Sequence, residues 1–130
     1  MEQEKLALLK TDIDGFDWDV IRSSYELLTN HPYIYFECQY ESHEQLNNYK
    51  EMFTELQVIG YSNFAFFDNF GNYICTINNL ENIHELLSYI ERQNFYKSTR
   101  TINYYDILAY SSDKMNEMKQ IINKYNKHRL

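Results

Sequence analysis

Leu6-Ala7-Leu8-Leu9-Lys10-Thr11-Asp12-Ile13-Asp14-Gly15-Phe16-Asp17 passes from an unbroken aliphatic run to a cluster of carboxylates interrupted by one glycine. A continuous apolar run is the pattern of a strand covered on both faces, and such strands belong to parallel sheets. Gly15 falls where the chain must turn tightly. From Asp17 onward Trp18, Ile21, Tyr25 and Leu28 recur at helical spacing, with Asp17 and Asp19 suited to a first helical turn. Asn30-His31-Pro32 ends that helix. The opening unit is therefore a strand over Leu6 to Ile13, an acidic turn, and a helix.

The pattern then repeats. Tyr33-Ile34-Tyr35-Phe36-Glu37-Cys38 is aromatic and β-branched, and predicts a second strand with a carboxylate near its end. Ser42 followed by Gln45 forms a capping-box pattern ahead of a helix whose inner stripe is Leu46, Tyr49, Phe53 and Leu56. Gly60 closes it, Tyr61 to Phe67 predicts a third strand, and Asp68-Asn69-Phe70-Gly71-Asn72 turns the chain so that Tyr73 to Ile77 pairs back as a hairpin. A helix over Glu81 to Arg92, with Ile83, Leu86, Leu87 and Ile90 inward, precedes a last strand over Ile102 to Tyr110. Met115, Met118, Ile122 and Tyr125 mark a final helix. Strand–helix–strand units in this order predict an α/β fold with a mostly parallel sheet, flanking helices and a hairpin.

The chain has 130 residues, enough for one domain with a core, and only 3 Gly and 1 Pro, which argues against disorder. Its formal net charge of −7 opposes binding to a phosphate backbone, so nucleic acid is not an expected partner. The basic run Lys124, Lys127, His128 and Arg129 sits where cations complement a helix dipole. Cys38 and Cys75 lie in apolar strands without zinc-site spacing, and are expected to be buried thiols. No apolar stretch approaches a membrane span or a secretory leader, which predicts a cytoplasmic protein.

Ligands of such sheets sit outside the carboxyl ends of the strands, which nominates Asp12 to Gly15, Glu37 to Tyr40 and Asp68 to Gly71. Asp12 and Glu37 are the candidate catalytic pair. If their strands are neighbours, the two carboxylates meet at the sheet rim, where proximity and partial burial drive their pKa values apart and leave one able to act as a base. Oxygen ligands of this kind also suit a divalent cation, although no metal ligand set is assigned. Asp14 and Asp68 are candidate substrate-binding residues. Asp17 is expected to serve the start of the helix, as short acidic residues do. Tyr40, Tyr89, Tyr104 and Tyr105 are open to a carbohydrate or protein contact, although core or rim positions are commoner for such rings. Asp12-Ile13-Asp14-Gly15 by itself also fits the turn of metal-dependent phosphatases, with Phe16 where they carry Thr or Ser, and the DxD of nucleotide-sugar glycosyltransferases.

The longer stretch is more specific. Leu9-Lys10-Thr11-Asp12-Ile13-Asp14-Gly15-Phe16-Asp17, then Val20-Ile21 and Pro32, resembles the "KIDVEG-E" block of FkbM-family methyltransferases. Tyr33 to Glu37 stands where that family has an aliphatic strand ending in Glu, and Leu56 to Tyr61 resembles its approach to a "GY" and an aromatic strand. The resemblance covers Leu6 to about Ile77, with Thr11 in place of an aliphatic residue and Asp14 and Asp17 in place of Glu. It implies a partial class I methyltransferase-like (Rossmann-like) fold using S-adenosylmethionine, with methyl transfer to a hydroxyl of a sugar or secondary metabolite. It also implies that the first strand corresponds to the fourth of that fold. The Gly-rich cofactor loop is not present in the chain, since Gly15, Gly60 and Gly71 stand alone. The chain is then expected to be the C-terminal, substrate-side half, as a fragment, a split gene product or a degenerate relative. Its partner would be an N-terminal chain or a second copy, paired through Leu6 to Leu9 as an open edge. A non-catalytic interaction module is the alternative from the same edge.

Overall fold

Ile34, Phe36 and Cys38 are fully buried, while Tyr33, Tyr35, Glu37 and Gln39 between them are partly exposed, so this strand packs one face hard and the other loosely. The computed structural model describes residues 6–96 and 100–129. In chain order the elements are β1 (Leu8–Lys10), α1 (Asp17–Arg22), a 3-10 turn (Tyr25–Leu28), β2 (Tyr33–Gln39), α2 (His43–Ile59), β3 (Asn63–Phe67), β4 (Tyr73–Ile77), α3 (Leu80–Phe95), β5 (Tyr104–Tyr110), a second 3-10 turn (Ser112–Lys114) and α4 (Met115–Arg129). Residues of α1, α2 and α3 cover one face of the sheet through the main core, and α4 covers part of the other through Met118 and Ile122.

The fold is α/β with a five-stranded mixed sheet of order β1-β2-β5-β3-β4. The expected mostly parallel sheet is corrected: β1 and β2 pair in parallel, whereas β2–β5, β5–β3 and β3–β4 are antiparallel. The hairpin is the physical reason. β1, β2 and β3 run the same way, each followed by a reversal. β4 reverses the chain once more, so α3 carries it back to the rim where β3 ended. A strand entering from that rim can only run downward, and β5 fits between β2 and β3 in that sense.

Two local expectations also change. β1 is a three-residue edge strand, with Leu6 41% and Leu8 48% exposed, rather than a strand buried on both faces. The helix after Asp17 stops at Arg22. Ser24 turns its hydroxyl onto the Val20 carbonyl at 2.7 Å, a local bond that competes with helix continuation, and Tyr25 to Leu28 close up as a 3-10 turn. Tyr105 takes the commoner of the two positions open to it and is a core residue. The capping box holds: the Ser42 hydroxyl accepts from the Gln45 N–H at 3.1 Å.

Phe53 on α2 is the hub of the main core. Its ring meets Phe36 at 5.8 Å, Phe64 at 5.1 Å and Phe66 at 6.3 Å, tying the helix to two strands that are not neighbours in the sheet. Phe53→Ala is expected to destabilise the domain by about 3–5 kcal/mol. Urea unfolding should show this as a lower midpoint with an unchanged slope.

Candidate functional site

The β1–β2 ladder leads directly to the site. Tyr33 donates its N–H to the Ala7 carbonyl at 3.0 Å, and Thr11 donates to the Tyr35 carbonyl at 3.1 Å. Lys10 stands opposite Tyr35, so two residues further on Asp12 comes level with Glu37. Both lie on the face away from the main core, where the Lys10 ammonium sits 5.7 Å from the Tyr35 ring centre. Asp12, Asp14 and Glu37 each bring a carboxylate oxygen within 4.8 Å of the others.

Two further carboxylates complete the rim. Asp106 on β5 is the cross-strand partner of Glu37. Asp17, the first residue of α1, is fully buried. Its Oδ1 accepts from the Ile13 N–H at 2.7 Å and its Oδ2 from the Glu37 N–H at 2.8 Å. The sequence pattern predicts a helix-capping role for Asp17. The residue at the helix cap is Phe16, and the Asp17 carboxylate instead joins the loop after β1 to the end of β2.

Like charges in a half-dry place raise one another's proton affinity. Burial pushes the Glu37 carboxyl up to about 8; the next causes are its hydrogen bond with Asp12 and the charges of Asp12, Asp106 and Asp17. Asp106 is also raised, mainly by burial, while a hydrogen bond from Tyr35 and the charge of Lys10 pull the other way. Burial raises Asp17 as well, against the lowering effect of its two backbone donors. The chemistry this group supports is proton sharing.

Glu37 and Tyr104 stand between two clefts. The larger, of about 570 Å³, runs from Asp14 and Glu37 past Gln39, Tyr40, Asn103 and Tyr104 to Arg100. A recess of about 190 Å³ reaches Asp12, Tyr35 and Asp106. On the far wall Asn94 is buried, with its amide donating to the Ile90 carbonyl at 2.8 Å and its carbonyl accepting from Arg100 at 3.0 Å.

Of the residues nominated from sequence, Asp12, Asp14 and Glu37 come together and Asp68 does not join them. One Asp68 oxygen accepts from the N–H groups of Phe70 and Asn72, both at 2.9 Å, which commits that carboxylate to the β3–β4 turn. Asp17 and Asp106 went unnominated. A lone acid inside the otherwise apolar Tyr104–Tyr110 run was the available signal for Asp106. Nothing in the spacing distinguishes Asp17 from a capping residue. Cys38 is buried and Cys75 half-buried; both are free thiols whose pKa burial raises.

The glycines do not fit S-adenosylmethionine. The space a side chain would fill at Gly15 is taken by Glu41, at Gly60 by the His31 ring and at Gly71 by Tyr125, so none of them opens a cradle for a cofactor. Among the described residues no helix is long and apolar enough to cross a membrane. No protein-family model, curated protein or solved structure matches the chain.

The raised Glu37 has a direct consequence for stability. Between the ordinary glutamate value and about 8, the folded protein holds a proton that the unfolded chain releases. Stability from this group is therefore full below that range and lost as pH rises through it. Discounted for solvent screening, the effect is on the order of 1 kcal/mol, or roughly 4 °C in melting temperature. Glu37→Gln should flatten the decline between pH 5 and 8.5 and melt above the wild type at the alkaline end, as read by calorimetry.

Proposed function

We propose that this chain is the acceptor-binding half of a methyltransferase-like α/β domain, in which Asp12 and Glu37 receive a hydroxyl group of a sugar or secondary metabolite. The observation that supports it most is the pairing of these two residues on one sheet face, at the carboxyl ends of two parallel strands. With Glu37 keeping its proton to about 8, the pair offers a hydrogen-bond donor beside an acceptor at neutral pH. Neighbouring hydroxyls can replace the bond that joins the two acids: one donates to the Asp12 carboxylate, and the next accepts from the Glu37 acid, whose O–H turns from Asp12 to the ligand. Asp12 is also the base that takes the proton of the hydroxyl it holds.

The rest of the larger cleft suits the same class of ligand. Its volume of about 570 Å³ is that of a small-molecule site. Gln39 and Asn103 supply amide groups that both donate and accept, and Tyr40 and Tyr104 supply flat rings. Since the glycines form no cofactor cradle, S-adenosylmethionine is left to a partner chain, and these residues do no more than bind, orient and deprotonate the acceptor.

Saturation-transfer NMR at pH 6.5 with a panel of monosaccharides and glycosides tests this. Binding is expected for polyols with adjacent hydroxyls, and Asp12→Asn should weaken it about tenfold by removing a charge-assisted hydrogen bond. Absence of transfer to every member of the panel would sink the proposal.

The open side of β1 favours a second reading, an interaction module. β1 pairs only with β2 among the described strands, and Leu6, Leu8, Ile13 and Phe16 are exposed beside it. Under this reading the chain self-associates in sedimentation at high concentration, and Leu8→Lys returns it to a monomer. A clean wild-type monomer would count against an edge that pairs.

A further inference from the structure

We propose that Asp17 is a positioning residue: its two carboxylate oxygens hold the backbone at Ile13 and at Glu37 a fixed distance apart, and so set the separation at which Asp12 and Glu37 face one another. Its functional meaning rests on the acceptor-binding reading above.

The argument begins with the ladder. Tyr33 N–H bonds to the Ala7 carbonyl, and the parallel register steps by two on each strand. The next N–H in that series is Glu37, and its regular partner would be the Thr11 carbonyl. The chain turns away from the sheet at that point, and the Asp17 side chain takes the Glu37 N–H instead, at 2.8 Å. The other oxygen takes the N–H of Ile13, the residue after Asp12, at 2.7 Å. One rigid, planar group thus ends the ladder and grips the two acid-bearing segments, one per oxygen.

Burial of Asp17 makes this grip firm. An aspartate with no exposed surface has no competing water, and N–H bonds to a carboxylate are stronger than those to a neutral acceptor. An amide in its place keeps the size but offers one oxygen, and turns an N–H group toward a backbone donor. A carboxylate is the one side chain of this length with an acceptor at both ends.

Glu37 is the reporter, since its proton affinity depends on how close Asp12 stands. The groups facing it are Asp12 and Asp14 from the loop after β1, Asp17 from α1, and Asp106 and Tyr104 from β5. Tyr49 on α2 donates to its carbonyl, and Lys10 and Arg100 are the cations lining the two clefts. The Asp17 charge itself also raises Glu37, so removing it confounds charge with position. Ile13→Pro separates them. It deletes the gripped N–H, keeps the Asp17 carboxyl group, and changes a side chain that is half exposed.

Carbon-detected NMR titration of the Glu37 carboxyl in wild type, Asp17→Asn and Ile13→Pro is the experiment. The midpoint is expected to fall by about one pH unit or more in both variants, a tenfold loss of proton affinity. A fall in Asp17→Asn alone would mean charge without positioning, and no fall in either would leave Asp17 a purely structural residue; both overturn the proposal. If Asp17→Asn does not fold, Ile13→Pro decides by itself. The two proposals fail separately: a wild type that binds no polyol sinks the acceptor reading and leaves this result standing, while an unmoved Glu37 in a protein that binds polyols does the reverse.

Discussion

The strict alternation of β2 is the constraint on which the rest depends. Ile34, Phe36 and Cys38 have no exposed surface, and the core they enter also holds Phe53, Phe64, Phe66 and Ile107. Once those three are committed to the face under α1, α2 and α3, Glu37 has only the opposite face to occupy. A slip of one residue would drive Glu37 among phenylalanine rings and expose three apolar side chains, so the register is held by the core and not by the acids. The rim carboxylates are placed by packing that has no part in their chemistry.

Direction matters as much as face. β1, β2 and β3 all end at one rim, and β5 starts there because α3 has returned the chain to it. The amino end of β5 therefore brings Tyr104 and Asp106 beside Gln39 and Glu37. In an all-parallel sheet this rim would collect strand ends and loops only. The reversed strand inserts a side-chain ladder into it, and gives Glu37 an acidic neighbour across the strands where like charges ordinarily disfavour pairing.

Much of this was legible in the chain, and the misses have physical causes. The α/β class, the order of elements, the capping box at Ser42 and the hairpin at Asp68 to Asn72 follow from periodicity and turn chemistry, which are local. The neighbouring placement of Asp12 and Glu37 followed from one assumption, that the first two strands are adjacent. The direction of β5 did not follow, because the sense of a strand depends on how many reversals precede it, and the fourth strand contributes the deciding one. The open edge at β1 was legible, but the exposure of its faces was not, because an aliphatic run reads alike whether or not helices cover it. The role of Asp17 is not legible because a residue at a helix start satisfies the capping pattern whether or not its side chain turns back, and here it spans 20 residues to reach the Glu37 N–H.

Asp17 and Glu37 show how two acids in one small volume take opposite parts. Each is disfavoured as an anion by burial, and each feels the charge of Asp12. Asp17 receives two backbone N–H donors, which stabilise the ionised form and offset part of the cost of its burial. The Glu37 side chain has a hydrogen bond with another carboxyl, which requires a proton between them. The fully buried acid is therefore the one equipped to hold charge, and the half-exposed one is equipped to hold a proton. A ligand entering beside Glu37 meets a neutral acid next to a carboxylate, with Asp14, Glu41 and Asp106 near by. The acids outnumber Lys10 and Arg100, the cations lining the two clefts, and that excess of negative charge disfavours an anion beside Glu37.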